Sequence, residues 1–394
     1  MDWMISWDSL DDRQRMAVND IFESTKKFSW IHGFAGSGKT IILLHIIKRF
    51  LLERPSSSIC FVTYTLALTE LALTGLSAEE RNRIVISTLY QFKQTSGIYD
   101  LIIVDEVQDS ELDILQDAAQ RATYKLVIAG DASQQIYTNR VTNEEIKSIV
   151  NNVEEEELRV VHRLTDKIKK IATSILPSSR IMGAETPEMQ SFLKRGADAY
   201  LYKANNESDE VKGILLNINE NPPKVSYPYG ILFPNHDLIK KFIRYLIAEY
   251  NLEIDYSISE NNNYQYYSAF NNASKLFQFF GNGIGSLNIS DTRSTVYLMT
   301  YHSAKGFDFE KVFLPFANKD YLNSVIKREG YIIPDIDRKV LYVAVTRSKN
   351  DLIISYNSDE PHPYIKKLVE EKLLIEAPMP TQSLIDNSDD DEFF

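Results

Sequence analysis

The chain has 394 residues, 44% apolar and 25% charged, with a net charge of −12. That length allows two or three domains with sizeable cores, and the acidic balance excludes a surface coated with basic groups while leaving room for a local nucleic-acid groove. One cysteine, Cys60, excludes an internal disulfide and a cysteine-metal cluster, and no apolar run is long enough for a membrane span. Met1-Asp2-Trp3-Met4 lacks the basic start of a signal peptide, so a reducing, cytoplasmic setting is expected.

Residues 1–26 read as helical with polar turns, and residues 27–53 as strand, turn and helix. Inside that turn, residues 33–40 spell Gly-Phe-Ala-Gly-Ser-Gly-Lys-Thr, the G-x-x-x-x-G-K-[ST] pattern of a phosphate-binding loop in the context it requires. Glycines let successive N–H groups face phosphate oxygens, and the following helix adds the positive end of its dipole. Gly33, Ala35, Gly36, Ser37 and Gly38 therefore read as the cradle of a nucleoside triphosphate. Lys39 would reach the β- and γ-phosphates, and the Thr40 hydroxyl would hold Mg²⁺.

Residues 58–63 read as a strand and 66–73 as a helix. The apolar strand at 101–104 ends in Asp105-Glu106. Such a pair suits a Mg²⁺-dependent ATPase, with Asp105 holding the metal through water and Glu106 orienting and deprotonating the attacking water. Another apolar strand covers 124–129. Buried apolar strands alternating with helices predict a parallel sheet covered on both faces. The first unit is expected to span 1–150, with Glu154–Glu157 a solvated linker.

The second unit, 151–380, repeats the theme. Strands are expected at 199–203, 230–233, 296–300, 311–315 and 351–356, and an amphipathic helix at 237–250. Residues 260–294, rich in Asn, Ser and Gly, read as a loop or small surface insertion. Residues 381–394 form an acidic tail that reads as disordered. It closes on Asp389-Asp390-Asp391-Glu392-Phe393-Phe394, resembling the tips by which single-strand-binding proteins recruit partners, although such runs are usually only solubilising. His32, His45 and His236 read as structural.

The string Val104-Asp105-Glu106-Val107-Gln108-Asp109 is more specific than two acids, and here the chain resembles the superfamily 1A helicases of the UvrD/Rep type, whose signature is D-E-x-Q-D. The resemblance covers most of residues 8–356 in the family's motif order. It implies two RecA-like P-loop NTPase domains with ATP in the cleft between them, and single-stranded DNA across the top of both. By motif position Gln14 would read adenine. Residues 63–67 resemble the single-strand contact motif, giving Thr63 and Tyr64 as contacts. Residues 87–92 resemble T-x-H-x-F, with Tyr90 in place of His. Residues 130–137 match G-D-x-x-Q-x-I-Y, so Gln134 would sense the γ-phosphate, with Arg140 a contact just beyond. Residues 161–165 resemble Y-R-S-T, making Arg163 a γ-phosphate candidate. Residues 298–309 follow T-x-H-S-A-K-G-L-E-F, with His302 on DNA and Gly306 and Asp308 on the nucleotide. Residues 341–349 follow L-Y-V-A-L-T-R-A-K, so Arg347 would be the arginine finger, a device that contributes ~10³–10⁵ in rate.

Three departures stand out. Only residues 72–87 and 251–295 occupy the places of the family's large insertions. Asn139 stands where a base-stacking Trp is usual, and Asp308 replaces Glu. The resemblance implies an ATP-dependent translocase or helicase with 3′ to 5′ polarity, using ATP and Mg²⁺ on single-stranded DNA. A second reading is a nucleotide-dependent switch subunit serving a nuclease or other effector, or working with a single-strand-binding protein. A P-loop kinase or transporter ATPase explains neither Gln108-Asp109 nor Arg347.

Overall fold

The computed structural model describes residues 4–33, 36–130, 135–137, 140–158, 164–177, 197–225, 227–254, 259–281, 283–286, 294–329 and 335–381. Two wholly parallel sheets organise them. The first has the order β3-β2-β4-β5-β1-β6, from β1 (Phe28–Gly33), β2 (Ile59–Thr63), β3 (Ile84–Thr88), β4 (Tyr99–Val104), β5 (Ala122–Gly130) and β6 (Glu154–Leu158). Its helices are α1 (Asp12–Glu23), α2 (Lys39–Glu53), α3 (Leu66–Thr74), α4 (Ala78–Arg81), α5 (Leu89–Lys93), α6 (Leu112–Arg121) and α7 (Asn143–Ile149).

Alternate side chains of these strands feed two cores. Ile31, Phe61, Ile103 and Val127 pack with α1 and α2 on one face. Trp30, Val62, Ile102 and Ile128 pack with α6 and α7 on the other. Burial on both faces is why the strands read as continuous apolar runs.

The second sheet has the order β13-β7-β12-β11-β8-β10-β9. Its strands are β7 (Tyr200–Lys203), β8 (Tyr229–Phe233), β9 (Phe277–Phe279), β10 (Val296–Thr300), β11 (Phe309–Leu314), β12 (Ser348–Tyr356) and β13 (Ile375–Pro378). Helices α8 (Asp166–Ile175), α13 (Ile336–Val345) and α14 (Pro363–Glu370) cover one face. Helices α9 (Glu207–Glu220), α10 (His236–Tyr250) and α11 (Asn263–Ala273) cover the other, and α12 (Asn323–Glu329) lies beyond β11. No helix among the described residues is long and apolar enough to cross a membrane.

Two expectations are corrected. Residues 154–157 are not a linker. They form β6, pairing with β1 from Ser29↔Glu154 to Gly33↔Leu158, so the first sheet runs past residue 150. Glu156 and Leu158 point inward while Glu155 and Glu157 are exposed, a period-2 pattern hidden by the uniform charge of the run. Residues 260–294 are not simply a loop. They hold α11, which buries Tyr266, Tyr267 and Phe270, and β9, which extends the sheet beside β10. Asn262 caps α11 by accepting from Gln265 N at 3.2 Å, so the Asn-rich composition marks a helix start. The tail beyond Thr381 lies outside the described residues.

The units meet through packed side chains. Leu71, Ile136 and Tyr137 of the first join the core of the second. Gly306, at φ +87, lies so close to α3 that an added Cβ would meet Leu68 Cδ2 at 2.0 Å.

Candidate functional site

The phosphate loop joins β1 to α2. Gly38, at φ +87, is the N-cap of α2, a left-handed position that glycine takes without strain. An added Cβ there would also strike Gln14 Nε2 at 2.6 Å. Gln14 closes a capping box with Asp11 at the start of α1 and donates Nε2–H to Ser37 O at 3.1 Å. The residue expected at adenine is thus clamped against the loop. Lys39 donates to Gly33 O at 2.7 Å, and the Thr40 hydroxyl donates to Asp105 Oδ2 at 2.7 Å.

Strand β4 lies two strands from β1 across β5, so its end faces the loop. Asp105 still pairs with β2, its N–H donating to Val62 O at 3.0 Å. Glu106 then takes φ 54, a left-handed conformation unusual for glutamate that turns the chain into the short 3₁₀ segment Val107–Asp109. Gln108 donates its amide to Glu106 Oε2. Lys305, from the turn after β10 in the other unit, bonds Asp109 Oδ2 and lies 3.8 Å from Glu106 Oε2. Lys305 and Asp109 are 2% and 0% exposed, so this ion pair between units is buried.

The electrostatics separate these acids. Burial and the adjacent Glu106 charge push Asp105 up to about 6. Burial also pushes Asp109 up to about 6, against the pull of Lys305. Burial pushes Glu106 upward too, but Lys305, Lys39, the Gln108 amide and Arg347 outweigh it and leave Glu106 below the ordinary glutamate range. Neighbouring carboxyls with separated affinities for a proton can take separate chemical roles. Thr40 and Asp105 together offer the hard oxygen donors that suit Mg²⁺, next to the loop lysine.

Arg347 is fully buried. Its guanidinium donates to Val343 O at 3.0 Å, Phe307 O at 3.2 Å and Thr346 Oγ1 at 3.1 Å. Its charge still acts on Glu106 across the junction. Gly306 sits against Leu68, and Asp308 is half-buried just beyond it. Ala35, Gln134 and Arg163 lie outside the described residues, as does Asn139.

A cleft of about 600 Å³ opens at the carboxyl ends of strands from both sheets. Tyr64, Tyr90 and His302 line it together. Tyr137, which closes the 130–137 match and is a candidate to replace the missing stacking Trp, sits among them. Its ring lies 4.4 Å from Tyr64 and 5.3 Å from His302, and its hydroxyl donates to His302 O at 3.4 Å. Arg140 braces this row, donating to Tyr64 Oη at 3.2 Å and Glu111 Oε1 at 2.9 Å. Thr63 is not on the wall; it is 1% exposed, with its hydroxyl bonded to Thr69 Oγ1 at 2.7 Å.

Sequence reasoning missed Pro234, Asn235 and His236, which also line the cleft. The signal was present, because Asn235 follows a buried strand and caps α10 by accepting from Leu238 N at 3.0 Å. His236 Nδ1 is 2.9 Å from Tyr267 Oη, so the histidine read as structural lines the cleft while α11 backs it. His45 Nε2 lies 3.1 Å from Ile5 O.

Two parallel-sheet α/β units carrying a phosphate loop and paired acids define a P-loop NTPase of the two-RecA-domain class. A model described as an AAA domain matches residues 9–196, and one described as the UvrD-like helicase C-terminal domain matches residues 271–359. The ATP-dependent DNA helicase PcrA of Staphylococcus aureus (strain MRSA252) is 30% identical over 102 residues, covering 23% of this chain and 14% of that protein. Among solved structures, the arterivirus nonstructural protein 10 (helicase) in complex with DNA aligns over 88% of this chain and 63% of its own, at 14% identity and a TM-score of 0.40. The same helicase without DNA aligns over 88% and 62%, at 15% identity and a TM-score of 0.40. The chain thus spans a small part of the curated relative and under two thirds of the viral chains. By these matches the chain is similar, over residues 9–196 and 271–359, to the UvrD/Rep-like superfamily 1 helicases.

Proposed function

We propose that this chain is an ATP-dependent motor on single-stranded DNA, a compact translocase or helicase moving 3′ to 5′ in the cytoplasm. Residues 1–158 and 159–380 act as its two domains. The phosphate loop and Gln14 bind ATP, Thr40 and Asp105 hold Mg²⁺, and Glu106 takes the proton of the attacking water. Lys39, Gln134, Arg163 and Arg347 stabilise charge on the transferring phosphoryl group. Bound Mg²⁺ supplies neutralisation of phosphate charge.

The observation that carries this reading is a single short turn after β10. It places His302 on the cleft and Lys305 on Asp109, beside Glu106. Strand occupancy and water activation then share one rigid segment, which gives differential contacts a route to both sites. Steady-state ATPase of the wild type and Glu106→Gln, with and without single-stranded DNA, tests it. Strong stimulation of the wild type that the variant lacks is expected; a slow rate indifferent to DNA would sink the motor reading.

One observation favours the switch-subunit reading. Between α3 and β3 only α4 intervenes, and between α10 and β10 the described elements are α11 and β9. Among the described residues, neither segment carries a subdomain that could engage duplex. Unwinding of a forked duplex by the purified chain decides between motor and switch.

A further inference from the structure

In the order β11-β8-β10, the strands β10 and β11 flank β8 and share no backbone ladder. The turn after β10 closes on itself, with Ser303 N donating to Thr300 Oγ1 at 3.1 Å and Ala304 N to Thr300 O at 2.9 Å. Its start is fixed by Tyr301 N donating to Phe233 O, at the end of β8, at 2.8 Å. Across β8, the segment leaving β11 is riveted to β12. Phe316, at φ 58, donates its N–H to the buried Glu210 at 2.6 Å, which also accepts from Ser355 Oγ at 2.6 Å. Ala317 N donates to Ser355 O at 2.8 Å, and Asn318 Oδ1 accepts from Asn357 N at 3.0 Å. The fastened segment presents Tyr321, whose hydroxyl bonds that of Tyr301. Both rings are buried, at 0% and 5% exposure, and cross nearly perpendicular at 78°. Two phenylalanines would pack the same way, so packing alone does not call for two hydroxyls.

We propose that the Tyr301–Tyr321 hydroxyl pair is a positioning element. It locks the turn at residues 300–307 so that His302 faces the cleft while Lys305 reaches Asp109 and Glu106. The pair touches neither nucleotide nor strand and acts through the turn. This rests on the reading of the chain as an ATPase stimulated by single-stranded DNA.

Tyr301→Phe, Tyr321→Phe and the double variant test it in the full chain. Amide exchange at residues 301–307 is expected to quicken about tenfold in each single variant, as a local opening made easier. The oligothymidylate concentration giving half-maximal stimulation rises about fivefold, the worth of one hydrogen bond. Replacing both partners by apolar isosteres can be nearly neutral for stability. The double variant should therefore regain the wild-type melting temperature without regaining stimulation. Unchanged exchange and stimulation in the single variants overturn the proposal, as does stimulation that recovers in step with melting temperature in the double variant. If the wild type ignores oligothymidylate, the motor reading fails, and the exchange data alone decide whether the pair anchors the turn.

Discussion

At the nucleotide end, Asp105, Glu106, Asp109 and Lys305 are each no more than 7% exposed. On the cleft wall a short distance away, Tyr90 is 71% exposed. Both regions lie at the carboxyl ends of the same sheets, yet one is built from buried charge and the other from rings and hydroxyls. Among the described lining residues the cleft has no lysine or arginine. Buried charges act strongly because the surrounding dielectric is low, and they tolerate little change. An open aromatic wall can hold any base through its π face, and each contact counts modestly. The proposed single-strand track of a chain of net charge −12 thus needs no basic coat.

The sharpest way to break this contrast is at the buried end. Glu106→Gln keeps the shape and removes the base, so kcat should fall by ~10²–10⁴ in a phosphate-release assay. A fall below tenfold would remove Glu106 from its role. Lys305→Ala strips the buried Asp109 of its ion-pair partner. Chemical denaturation should show a loss of ~3–5 kcal/mol, the usual effect of stripping one partner from a buried pair. At the cleft, Tyr90→Ala should weaken oligothymidylate binding by ~1–3 kcal/mol with little change in stability. An unchanged affinity would take Tyr90 off the track.

Two smaller effects concern charge. Asp109 has its folded-state affinity for a proton raised, from 3.8 to about 6. Between those values the folded state binds the proton more tightly than the unfolded one, so this group's contribution is full below pH ~4 and is lost as pH rises through about 6. Asp109→Asn, read as unfolding free energy by chemical denaturation between pH 4 and 7, should flatten that part of the profile by about 1–3 kcal/mol. Finally, with no lysine or arginine on the described wall, single-strand affinity should depend weakly on salt. A logarithmic slope of about −2 or shallower is expected, and a slope several-fold steeper would reveal a basic track elsewhere.

Much of the nucleotide end was legible because its chemistry is local. The phosphate loop, the acids after β4 and the apolar strands each sit within a few consecutive residues, and steric and hydrogen-bonding rules fix what such strings can form. The cleft was legible only in part. Tyr64, Tyr90 and His302 came from motif position, whereas Pro234, Asn235 and His236 belong to a strand end whose direction no periodicity reports. Strand β6 was hidden because four glutamates mask the alternation that would announce it, and pairing with β1 overrides their poor strand propensity.

The sequence by itself determined two parallel-sheet units, the loop that cradles phosphate and the acids beside it, since these depend on neighbours along the chain. Tertiary structure alone decided which segments meet. It set Lys305 against Asp109, 196 residues away, placed Gly306 against Leu68, and joined Tyr301 to Tyr321 across β8. Such contacts depend on strand order and on which faces are buried together, and those are settled only when the whole chain packs.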